Sequence, residues 1–467
     1  MARRSTSLSG SPSSAAAPSE RAILTIVALS SMLVPLNSTM VAVALPELMG
    51  EFDVDLGAAG WLVTGYLIAM ASVQPIAGSL GDHYGRRRLV LWGLAGFGLA
   101  SLGAAFASSF LAVVTLRLAQ ALTGALVMPN GIALVREAIP TIRRGRAFGV
   151  VGVGLGVGAA AGPPLGGVLA GLADWRGIFI VNAPLVAGLL VLGWWSLPRD
   201  SRVEGDVSFD LAGSVLLFTI LTGIAWLLSQ GVHALAGPVF GAAAAVLVAL
   251  LLVFLRFELK RPFPVFDPRF FAQRAFSAAS SAVGLSNLAM YCTLLAIPQI
   301  FSGREGWNSA QTGLLLAPLT VTMVLVGTPG GQLADRFGRR WPVVTGLSLM
   351  TLGVAIVGVT APGGELPWVA PGLGLAGAGL GMSQSGLQSA AVESVEPGRS
   401  GAAAGVYSTS RYVGSIVGSS VLPILLGALP GAASGYQQAF LMVGGAALLS
   451  VLASLALRDW PDVMRGA

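Results

Sequence analysis

The chain has 467 residues, of which 54% are hydrophobic and only 10% are charged. Its mean hydropathy of +0.79 excludes a soluble globular protein. The basic sequence pI does not indicate a nucleic-acid partner, because the basic residues lie in short loops between apolar runs. A single cysteine, Cys292, excludes an intrachain disulfide, and the two histidines, His83 and His233, are too far apart to suggest a metal site. We therefore predict no metal site and no cofactor.

Residues 1–21 are rich in Ser, Ala and Pro and are predicted to form a disordered cytoplasmic tail. The apolar run after them is longer than the core of a cleavable signal, so it is predicted to be a retained span. A helix needs about 20 mostly apolar residues to cross a bilayer, and fourteen stretches meet this requirement. Their predicted limits are 22–46, 57–80, 89–108, 111–135, 147–171, 178–197, 209–231, 236–256, 275–300, 309–333, 342–361, 366–391, 401–427 and 437–457.

Lys and Arg are distributed unequally between the two sets of loops. Arg117 and Arg411 fall within spans. Arg176 and Arg304 fall in loops of one parity, and all other basic residues lie on the other side together with the two termini. By the positive-inside rule, both termini, including the tail 458–467, are predicted to be cytoplasmic, and the protein is predicted to be a multi-pass protein of the cell (inner) membrane.

One loop sequence occurs twice in the chain. After span 2 the chain reads GSLGDHYGRRR from Gly78, and after span 10 it reads GQLADRFGRR from Gly331. The shared pattern, G-x-L-x-D-x-aromatic-G-R-R, recurs at an offset of 253 residues. Two six-span repeats in direct succession would place the second copy after span 8. Spans 7 and 8 are therefore predicted to be an insertion.

The predicted fold is an all-α membrane protein of two six-helix bundles with two additional central helices. The bundles are expected at 22–197 and 275–457, and the inserted helices at 209–256. The stretch 257–274 mixes aromatic and basic residues and is expected to be a cytoplasmic interfacial linker. Parallel repeats of this kind place the substrate path at the interface of the two bundles, near the midplane of the membrane.

The two repeated loops resemble the signature motif of the major facilitator superfamily. Three further stretches resemble its fourteen-span drug:proton antiporter branch: LNSTMVAVALP (36–46) in span 1, RLAQALTG (117–124) in span 4 and GAAAGPPLGG (158–167) in span 5. This resemblance implies a major facilitator fold. It also implies multidrug efflux of amphipathic or hydrophobic organic compounds by alternating access, with the proton gradient as the energy source.

The repeated motif predicts a conformational latch at the cytoplasmic ends of the helices. A carboxylate among guanidinium groups can join two helix ends by charge-assisted hydrogen bonds, which break when the halves rock apart. The alternative is a surface charge cluster that only sets orientation. The latch residues are Gly78, Asp82, Gly85, Arg86, Arg87, Asp335, Gly338, Arg339 and Arg340.

The glycines of span 5 predict close approach of another helix. Gly158, Gly162 and Gly166 recur every four residues and share one helical face. Pro163 removes a backbone donor and favours a bend. Ordinary small-residue packing explains the pattern equally well on physical grounds, whereas the resemblance, which includes Gly167, favours an antiporter-type helix.

Arg117 in span 4 is predicted to have a polar partner, because an unpaired cation within a membrane is costly. Depth matching favours Asn37 in span 1, at the position where the resemblance implies an aspartate. Asparagine cannot carry a proton. Three explanations stay open: another acid carries the proton, transport is not proton-coupled, or Asn37 is engineered. The coupling candidates are Asn37, Glu47, Arg117, Glu137 and Glu393.

Polar and aromatic side chains in the middle of several spans predict the substrate cavity. Such groups are costly towards lipid and are expected to face inwards. The alternative for each is a hydrogen bond between helices without any cargo. The candidates are Trp61, Tyr66, Gln74, Asn130, Asn287, Tyr291, Gln299, Gln384 and Gln388.

Exporter, uptake carrier and enzyme are the competing functional hypotheses. No catalytic constellation and no Walker-type phosphate loop occur in the sequence, so an enzyme is not expected. The prediction is a secondary exporter that acts as a monomer on a small organic substrate in the lipid bilayer, without nucleic acid. An uptake carrier or an uncoupled facilitator of the same fold is the alternative.

Overall fold

The computed structural model describes residues 20–200, 210–229, 238–261, 264–305, 307–396, 400–427 and 432–457. Within these ranges the chain is helical apart from short connections. The predicted tails 1–21 and 458–467 therefore lie outside the described residues, except for Glu20 and Arg21. The helices are α1 (Glu20–Phe52), α2 (Leu56–Tyr84), α3 (Arg86–Ala105), α4 (Phe110–Gly124), α5 (Val127–Ala138), α6 (Thr141–Ala173), α7 (Arg176–Ile180), α8 (Asn182–Ser196), α9 (Leu211–Ser229), α10 (Pro238–Lys260), α11 (Arg274–Glu305), α12 (Ser309–Phe337), α13 (Arg340–Thr360), α14 (Leu366–Glu393), α15 (Ser400–Gly427) and α16 (Ala432–Ser454).

Twelve helical segments of the described chain are long and apolar enough to cross a membrane. The protein is therefore a multi-pass membrane protein. Predicted spans 12 and 13 are α14 and α15, each 28 residues long, but neither is among the twelve segments. Both helices are rich in Gly and Ser, which lower their hydropathy. The predicted count of fourteen spans is therefore not confirmed, since twelve segments of the described chain have the length and hydropathy of spans.

Several helices begin at residues whose side chains cap them. Asp55 accepts a hydrogen bond from the backbone N–H of Ala58 at 2.7 Å and caps α2, and Asn308 forms a capping box with Gln311 at the start of α12. The turns between α2 and α3 and between α12 and α13 contain Gly85 (φ +98°) and Gly338 (φ +81°). This region of backbone conformation favours glycine, which explains the glycine that both motif copies place before Arg-Arg.

The helices form two groups with an additional pair beside them. Helices α1 to α8 pack on one another, as do α11 to α16, and the two groups meet where α6 packs on α12 and α2 on α15. We name the face that contains Gly85 and Gly338 the motif face, and the face where α1 ends and α12 begins the opposite face. The pair α9 and α10 lies beside the groups, because α9 packs on α2 and α15 and α10 packs on α9.

The glycine face of α6 lies directly on α1. A Cβ added at Gly158 would lie 2.4 Å from the backbone oxygen of Met32, and one added at Gly166 would lie 2.8 Å from that of Met40. At Gly162 the Cβ would collide with the hydroxyl of Thr39. The spacing of four residues on both helices keeps this contact in register over three turns. Only glycine permits this approach, which is much closer than ordinary side-chain packing.

Two predicted spans consist of two helices each. Span 4 is divided between α4 and α5 by a turn at Ala125 and Leu126, and span 6 is divided between α7 and α8 at Val181. The predicted linker 257–274 begins inside α10, and its described part also contains a short 3₁₀ helix, Pro268–Ala272. Because Glu258, Asp267 and Phe270 in this stretch are buried, the stretch packs into the protein.

Candidate functional site

A buried arginine lies at the centre of the N-terminal group of helices. The residue, Arg117 on α4, is only 1% exposed. Its guanidinium donates to the side-chain oxygen of Asn37 and, at 3.0 Å, to the backbone oxygen of the same residue. It also donates to Gln120 Oε1 at 2.6 Å and to the backbone oxygen of Leu62 at 3.3 Å. The cation therefore joins α1, α2 and α4.

Aromatic and amide side chains complete the surroundings of this cation. The guanidinium lies over the ring of Tyr66, 4.1 Å from its centroid, and the tyrosine hydroxyl donates to the backbone oxygen of Val34 at 3.2 Å. Gln120 extends the network by donating to Ser101 Oγ at 3.0 Å, to which Asn182 also donates at 2.8 Å. All these partners are uncharged. The charge is therefore stabilised by dipoles and a π face, not by a carboxylate.

The orientation of Asn37 leaves one of its polar atoms unsatisfied. Its Oδ1 accepts from Arg117, whereas its Nδ2 is buried and has no hydrogen-bond partner among the described residues. An unsatisfied buried donor carries a desolvation cost. A carboxylate at this position would offer two acceptors to Arg117 and would remove the unsatisfied donor.

Hydrogen bonds between the two groups of helices cluster towards the opposite face. Ser38 Oγ and Tyr291 Oη lie 3.3 Å apart, and Thr64 Oγ1 and Ser419 Oγ lie 2.7 Å apart. At the end of α1, the carboxylate of Glu47 accepts a hydrogen bond from Ser309 at the first turn of α12. These contacts, all between described residues, hold α1 and α2 against the C-terminal group in the half of the bundle remote from the motif face.

Gly167 makes a close backbone contact between the two groups. A Cβ added there would lie 2.3 Å from the backbone oxygen of Ser309 and 3.0 Å from the Cα of Gly313. Gly167 belongs to α6 and the other two residues to α12, near the opposite face. The adjacent glycines of α6 thus serve two different contacts: Gly166 faces α1, and Gly167 faces α12.

The motif face carries the same ion pair in both groups. Arg86 at the start of α3 pairs with Glu137 at the end of α5, and Arg339, at the equivalent position of the repeat, pairs with Glu393 at the end of α14. Each pair joins two helix ends within one group. The arrangement brings two predicted latch residues together with two predicted coupling residues.

A carboxylate that the sequence pattern did not predict lies at the first motif copy. Asp200 accepts hydrogen bonds from the backbone N–H groups of Arg87 at 2.8 Å and Arg88 at 3.2 Å. It therefore binds the N-terminus of α3, where a negative charge is favourable. The Arg87 guanidinium lies 5.3 Å from the ring centroid of Trp194, which ties the motif to the end of α8. The side chains of Asp82 and Asp335 and the surroundings of Gly78 lie outside the described part of the chain.

The predicted cavity residues have different surroundings. Asn130 is buried and donates to the backbone oxygens of Ala77 at 2.9 Å and Leu126 at 2.7 Å, and Asn287 donates to Val283 within α11 at 2.9 Å. These two amides therefore satisfy backbone groups. Gln384 is half-buried and Gln388 exposed.

Two further predicted cavity residues contact methionine sulfur atoms. Gln74 Nε2 lies 3.7 Å from the sulfur of Met128, within the N-terminal group. Gln299 Nε2 lies 3.8 Å from the sulfur of Met49 and so adds to the contacts between the groups. Trp61 and Tyr66 instead line a cavity between α2, α4 and α9.

The structure does not bring all the coupling candidates together. Arg117 contacts Asn37, whereas Glu47 contacts Ser309. The partners that sequence reasoning missed are Gln120, Ser101 and Asn182. Gln120 carried a signal, because it lies one helical turn after Arg117 within an apolar run. Ser101 and Asn182 carried no such signal in the sequence, because their contact with Gln120 is made between distant segments of the chain.

An all-helical membrane protein whose two groups of helices meet along a polar, glycine-lined seam has the architecture of a membrane transporter. The family model for the Major Facilitator Superfamily matches residues 27–419 and 279–464. The chain belongs to the major facilitator superfamily and is therefore a transporter and not an enzyme.

Three known proteins illustrate this relationship. The chain is 33% identical over 441 residues to the "Uncharacterized MFS-type transporter YvkA" of Bacillus subtilis (strain 168), covering 94% of this chain and 96% of that one. It is 30% identical over 414 residues to the "Multidrug efflux pump LfrA" of Mycolicibacterium smegmatis, covering 88% and 82%. Its fold is similar to that of a bacterial homologue of the human lysosomal transporter Spinster, in an inward-facing and unoccupied conformation, with a TM-score of 0.68, 15% identity and coverage of 94% and 97%.

Proposed function

We propose that this transporter exports amphipathic or hydrophobic organic compounds from the cell by alternating access. Transport by alternating access is supported by the contacts between the two groups, which concentrate near the opposite face and can therefore exchange with contacts near the motif face. Export is supported by relatives at about 30% identity that are named as multidrug or antibiotic efflux proteins. The predicted cavity, which contains no described buried carboxylate or lysine partner, suits a weakly charged cargo better than an inorganic ion.

The proposal includes a topology of fourteen spans in the cell membrane with both termini cytoplasmic. The 28-residue helices α14 and α15 pack on helices that have the hydropathy of spans, α14 on α12 and α13 and α15 on α11, which supports placing both in the membrane. The motif face is then cytoplasmic, in agreement with the basic motif residues. Residues 22–197 and 275–457 form the two halves, with 209–256 as the inserted pair, and the monomer is the functional unit.

We propose Glu47 as the residue that couples transport to protons. Its carboxylate accepts the Ser309 hydroxyl hydrogen bond across the seam, at the positive N-terminus of α12. This contact breaks when the opposite face opens, so the surroundings of the carboxylate differ between the two states. A group that binds a proton differently in two states is the requirement for coupling. The Glu137 and Glu393 carboxylates are paired with arginines inside single groups, where rocking of the groups does not separate them.

Drug accumulation in cells that express the chain tests the export proposal. We expect less intracellular drug than in cells with an Arg117→Leu variant expressed to the same level, and we expect an uncoupler to abolish the difference. Lower accumulation that does not respond to the uncoupler would support export but contradict proton drive. Higher accumulation in cells with the unmodified chain would favour the uptake carrier.

Glu47→Gln tests the coupling residue, with Glu51→Gln as the matched control. Both residues lie near the end of α1, but Glu51 pairs with Arg176 inside the N-terminal group. In proteoliposomes we expect Glu47→Gln to abolish drug transport driven by a pH gradient while drug–drug counterflow continues. Glu51→Gln should retain gradient-driven transport. Gradient-driven transport by Glu47→Gln at the rate of the unmodified chain would assign the proton to another residue.

A further inference from the structure

Two buried carboxylates lie close together at one end of the inserted helices. Asp210 directly precedes α9, and Glu258 lies in the last turn of α10. Glu258 is 0% exposed, and the side chain of Asp210 is 5% exposed. A Cβ added at Gly213 would collide with Glu258 Oε1 and would lie 2.8 Å from Asp210 Oδ2. Both oxygens therefore lie within 2.8 Å of one point.

Each of the two carboxylates uses only one of its oxygens in a hydrogen bond. Asp210 Oδ1 accepts from the backbone N–H of Gly213 at 2.8 Å and so caps α9. Glu258 Oε2 accepts from the backbone N–H of Phe266 at 2.9 Å and so holds the chain after α10 against that helix. The other two oxygens, Asp210 Oδ2 and Glu258 Oε1, are buried without a hydrogen-bond partner among the described residues. They cannot satisfy each other while both groups are ionised, because an ionised carboxylate only accepts.

Arg261 is the cation that acts on both carboxylates. Its Nε lies 3.9 Å from Asp210 Oδ2, and its charge also reaches Glu258. The distance to Asp210 is that of an ion pair and too long for a hydrogen bond. The guanidinium itself lies over the ring of Phe257, 4.5 Å from the centroid. Because one cation balances only one carboxylate, two ionised carboxylates would leave a buried negative charge uncompensated.

The other charged groups around this carboxylate pair have different surroundings. The Arg269 guanidinium donates to a backbone oxygen of α10, and Asp267 accepts from the backbone N–H of Arg269 at 3.0 Å. Arg256 and Lys260 of α10 and Arg274 at the start of α11 are exposed. The electrostatic balance of the site therefore depends on the two carboxylates and Arg261.

We propose that Glu258 and Asp210 together bind one proton, and that this proton fastens the inserted helices to the chain that leads into α11. The proton lies on Glu258 Oε1, which donates to Asp210 Oδ2, so that one hydrogen bond satisfies both unsatisfied oxygens. Asp210 keeps its charge beside Arg261. Two carboxylates that share a buried site retain one proton because their charges repel each other. The proposal depends neither on the direction of transport nor on Glu47.

The position of the site gives the proton a structural consequence. The chain after Glu258 packs on both sides: Phe266 lies 6.3 Å from Phe254 of α10 and Phe270 lies 5.4 Å from Phe276 of α11, between ring centroids. Since α11 begins at the motif face and belongs to the C-terminal group, the carboxylate pair lies where the inserted helices join that group. Loss of the proton places two negative charges side by side. The end of α10 then separates from α9, and the Phe266 hydrogen bond is weakened.

Infrared difference spectroscopy of the full chain in lipid nanodiscs tests for the proton. The carbonyl band of protonated carboxyl groups is followed between pH 5 and 9, because buried glutamates are known with pKa values up to about 8–9. We expect a component that titrates in the unmodified chain and is missing in Glu258→Gln. Glu51→Gln is the matched control, since Glu51 is exposed and paired with Arg176. It should retain the component.

Two changes beside Glu258 should move this titration in opposite directions. Asp210→Asn removes a negative charge that favours the protonated form, so the component should disappear at a lower pH. Arg261→Gln removes a positive charge that opposes protonation, so the component should persist to a higher pH. Each shift should be about one pH unit or more, since a close charge pair near a protein surface is worth a few kcal/mol. Arg269→Gln should leave the midpoint unchanged.

Hydrogen–deuterium exchange of residues 264–272 tests the structural consequence. Glu258→Gln keeps an acceptor for the Phe266 N–H and is neutral at every pH. Comparing the two proteins at the same pH removes the intrinsic pH dependence of exchange. Below the midpoint we expect equal protection of this segment. Above it, the segment should exchange faster in the unmodified chain than in Glu258→Gln.

Several outcomes would overturn the proposal. An infrared component that survives in Glu258→Gln would place the proton elsewhere. Sodium ions that lower the midpoint at constant ionic strength would show that the site holds a metal cation in place of the proton. Equal exchange of residues 264–272 at every pH would refute the fastening. If Glu258→Gln does not fold, Asp210→Asn and Arg261→Gln still decide the question, because midpoints that do not move in opposite directions contradict proton binding at this pair.

Discussion

The buried Arg117 holds a full charge among neutral partners. Its hydrogen bonds to Asn37, Gln120 and Leu62 reduce the cost of burying it but do not compensate its charge. A carboxylate in hydrogen-bond contact with a buried cation removes that imbalance, whereas an isolated buried charge is strongly unfavourable. The identity of residue 37 therefore controls the electrostatic balance of the N-terminal group.

Asn37→Asp is expected to stabilise the protein. The new carboxylate pairs with Arg117, and the unsatisfied Nδ2 of Asn37 disappears. We expect the melting temperature Tm to rise by about 3 °C or more, since a buried charge without its partner costs about 3–5 kcal/mol and Tm of a chain of this length shifts by about 1 °C per kcal/mol. The measurement is thermal unfolding followed by the reaction of a thiol-specific dye with Cys292, which is buried, free and the only cysteine.

Asn287→Asp is the matched control for this change. Asn287 is also a buried asparagine in a spanning helix, but its amide donates to the Val283 backbone oxygen within α11. A carboxylate there loses a donor and gains no described cation, so Tm should fall. A lower Tm for Asn37→Asp as well would contradict the electrostatic account of Arg117.

For single residues, the sequence predicts a contact only where the depth of a residue in its span, or the repeat of a motif, indicates the partner. The depth of Arg117 within span 4 led to Asn37 as a partner. The motif repeat also contains a signal for the ion pairs, because Glu137 follows Arg86 and Glu393 follows Arg339 at similar separations. The contact of Asp200 with the N-terminus of α3 could not be predicted, because it depends on the path of the chain after α8.

Among the helices, the seam between α1 and α6 depends on the absence of side chains. Overpacking a close-packed contact costs about 1–3 kcal/mol. Gly158→Ala places a Cβ 2.4 Å from the Met32 backbone oxygen, and backbone atoms cannot move aside as a flexible side chain can. We expect Gly158→Ala to lower Tm by several degrees in the Cys292 dye assay, together with lower drug export in cells.

Gly156→Ala provides the control on the same helix, since a Cβ at Gly156 meets no described atom within 4 Å. Both changes make the same gain in helix propensity, which favours alanine. Gly156→Ala should therefore keep or raise Tm. If both variants had the same Tm, the close contact of α6 with α1 would not limit stability.

The spacing of small residues predicted which face of α6 makes a close contact, but not its partner helix. Periodicity describes one helix at a time, and the contact of Gly167 with α12 depends on the arrangement of both groups. Spans 4 and 6 were predicted as single helices although the sequence contains a signal for their interruptions. Pro129 and Pro184 lie in the first turn of α5 and of α8, where proline is tolerated, whereas it disrupts a helix interior.

For the whole molecule, the repeat offset of 253 residues predicted the order of the helices, because two copies of a motif fix how many helices lie between them. It could not predict where α9 and α10 pack. Apolar helices that face lipid carry no pattern that selects one surface of a neighbouring bundle. The position of α9 beside the N-terminal group creates the cavity between α2, α4 and α9, which the sequence alone therefore could not predict.

The contact of α6 with α12 sets the balance between the two faces of the transporter. In Gly167→Val the added Cβ would lie 2.3 Å from the Ser309 backbone oxygen. The two helices therefore cannot approach this closely near the opposite face. Since packed interfaces have discrete arrangements rather than deforming continuously, the groups should rock apart there while the α1 contact of Gly166 persists. The variant should therefore favour a state that is open at the opposite face.

Distances between spin labels, measured by double electron–electron resonance, can detect this shift. The spin labels are placed at positions 50 and 314 in a Cys292→Ser background, and their distance reports the separation of the groups. Gly50 is exposed with space for a side chain, and Leu314 on α12 is 60% exposed. We expect Gly167→Val to lengthen the main distance by more than about 5 Å, the scale of a one-turn displacement. Gly171→Ala, whose Cβ would lie 3.3 Å from the side chain of Ala310, should leave it unchanged. An unaltered distance in Gly167→Val, with Tm lowered instead, would mean that this contact supports folding and not the exchange between states.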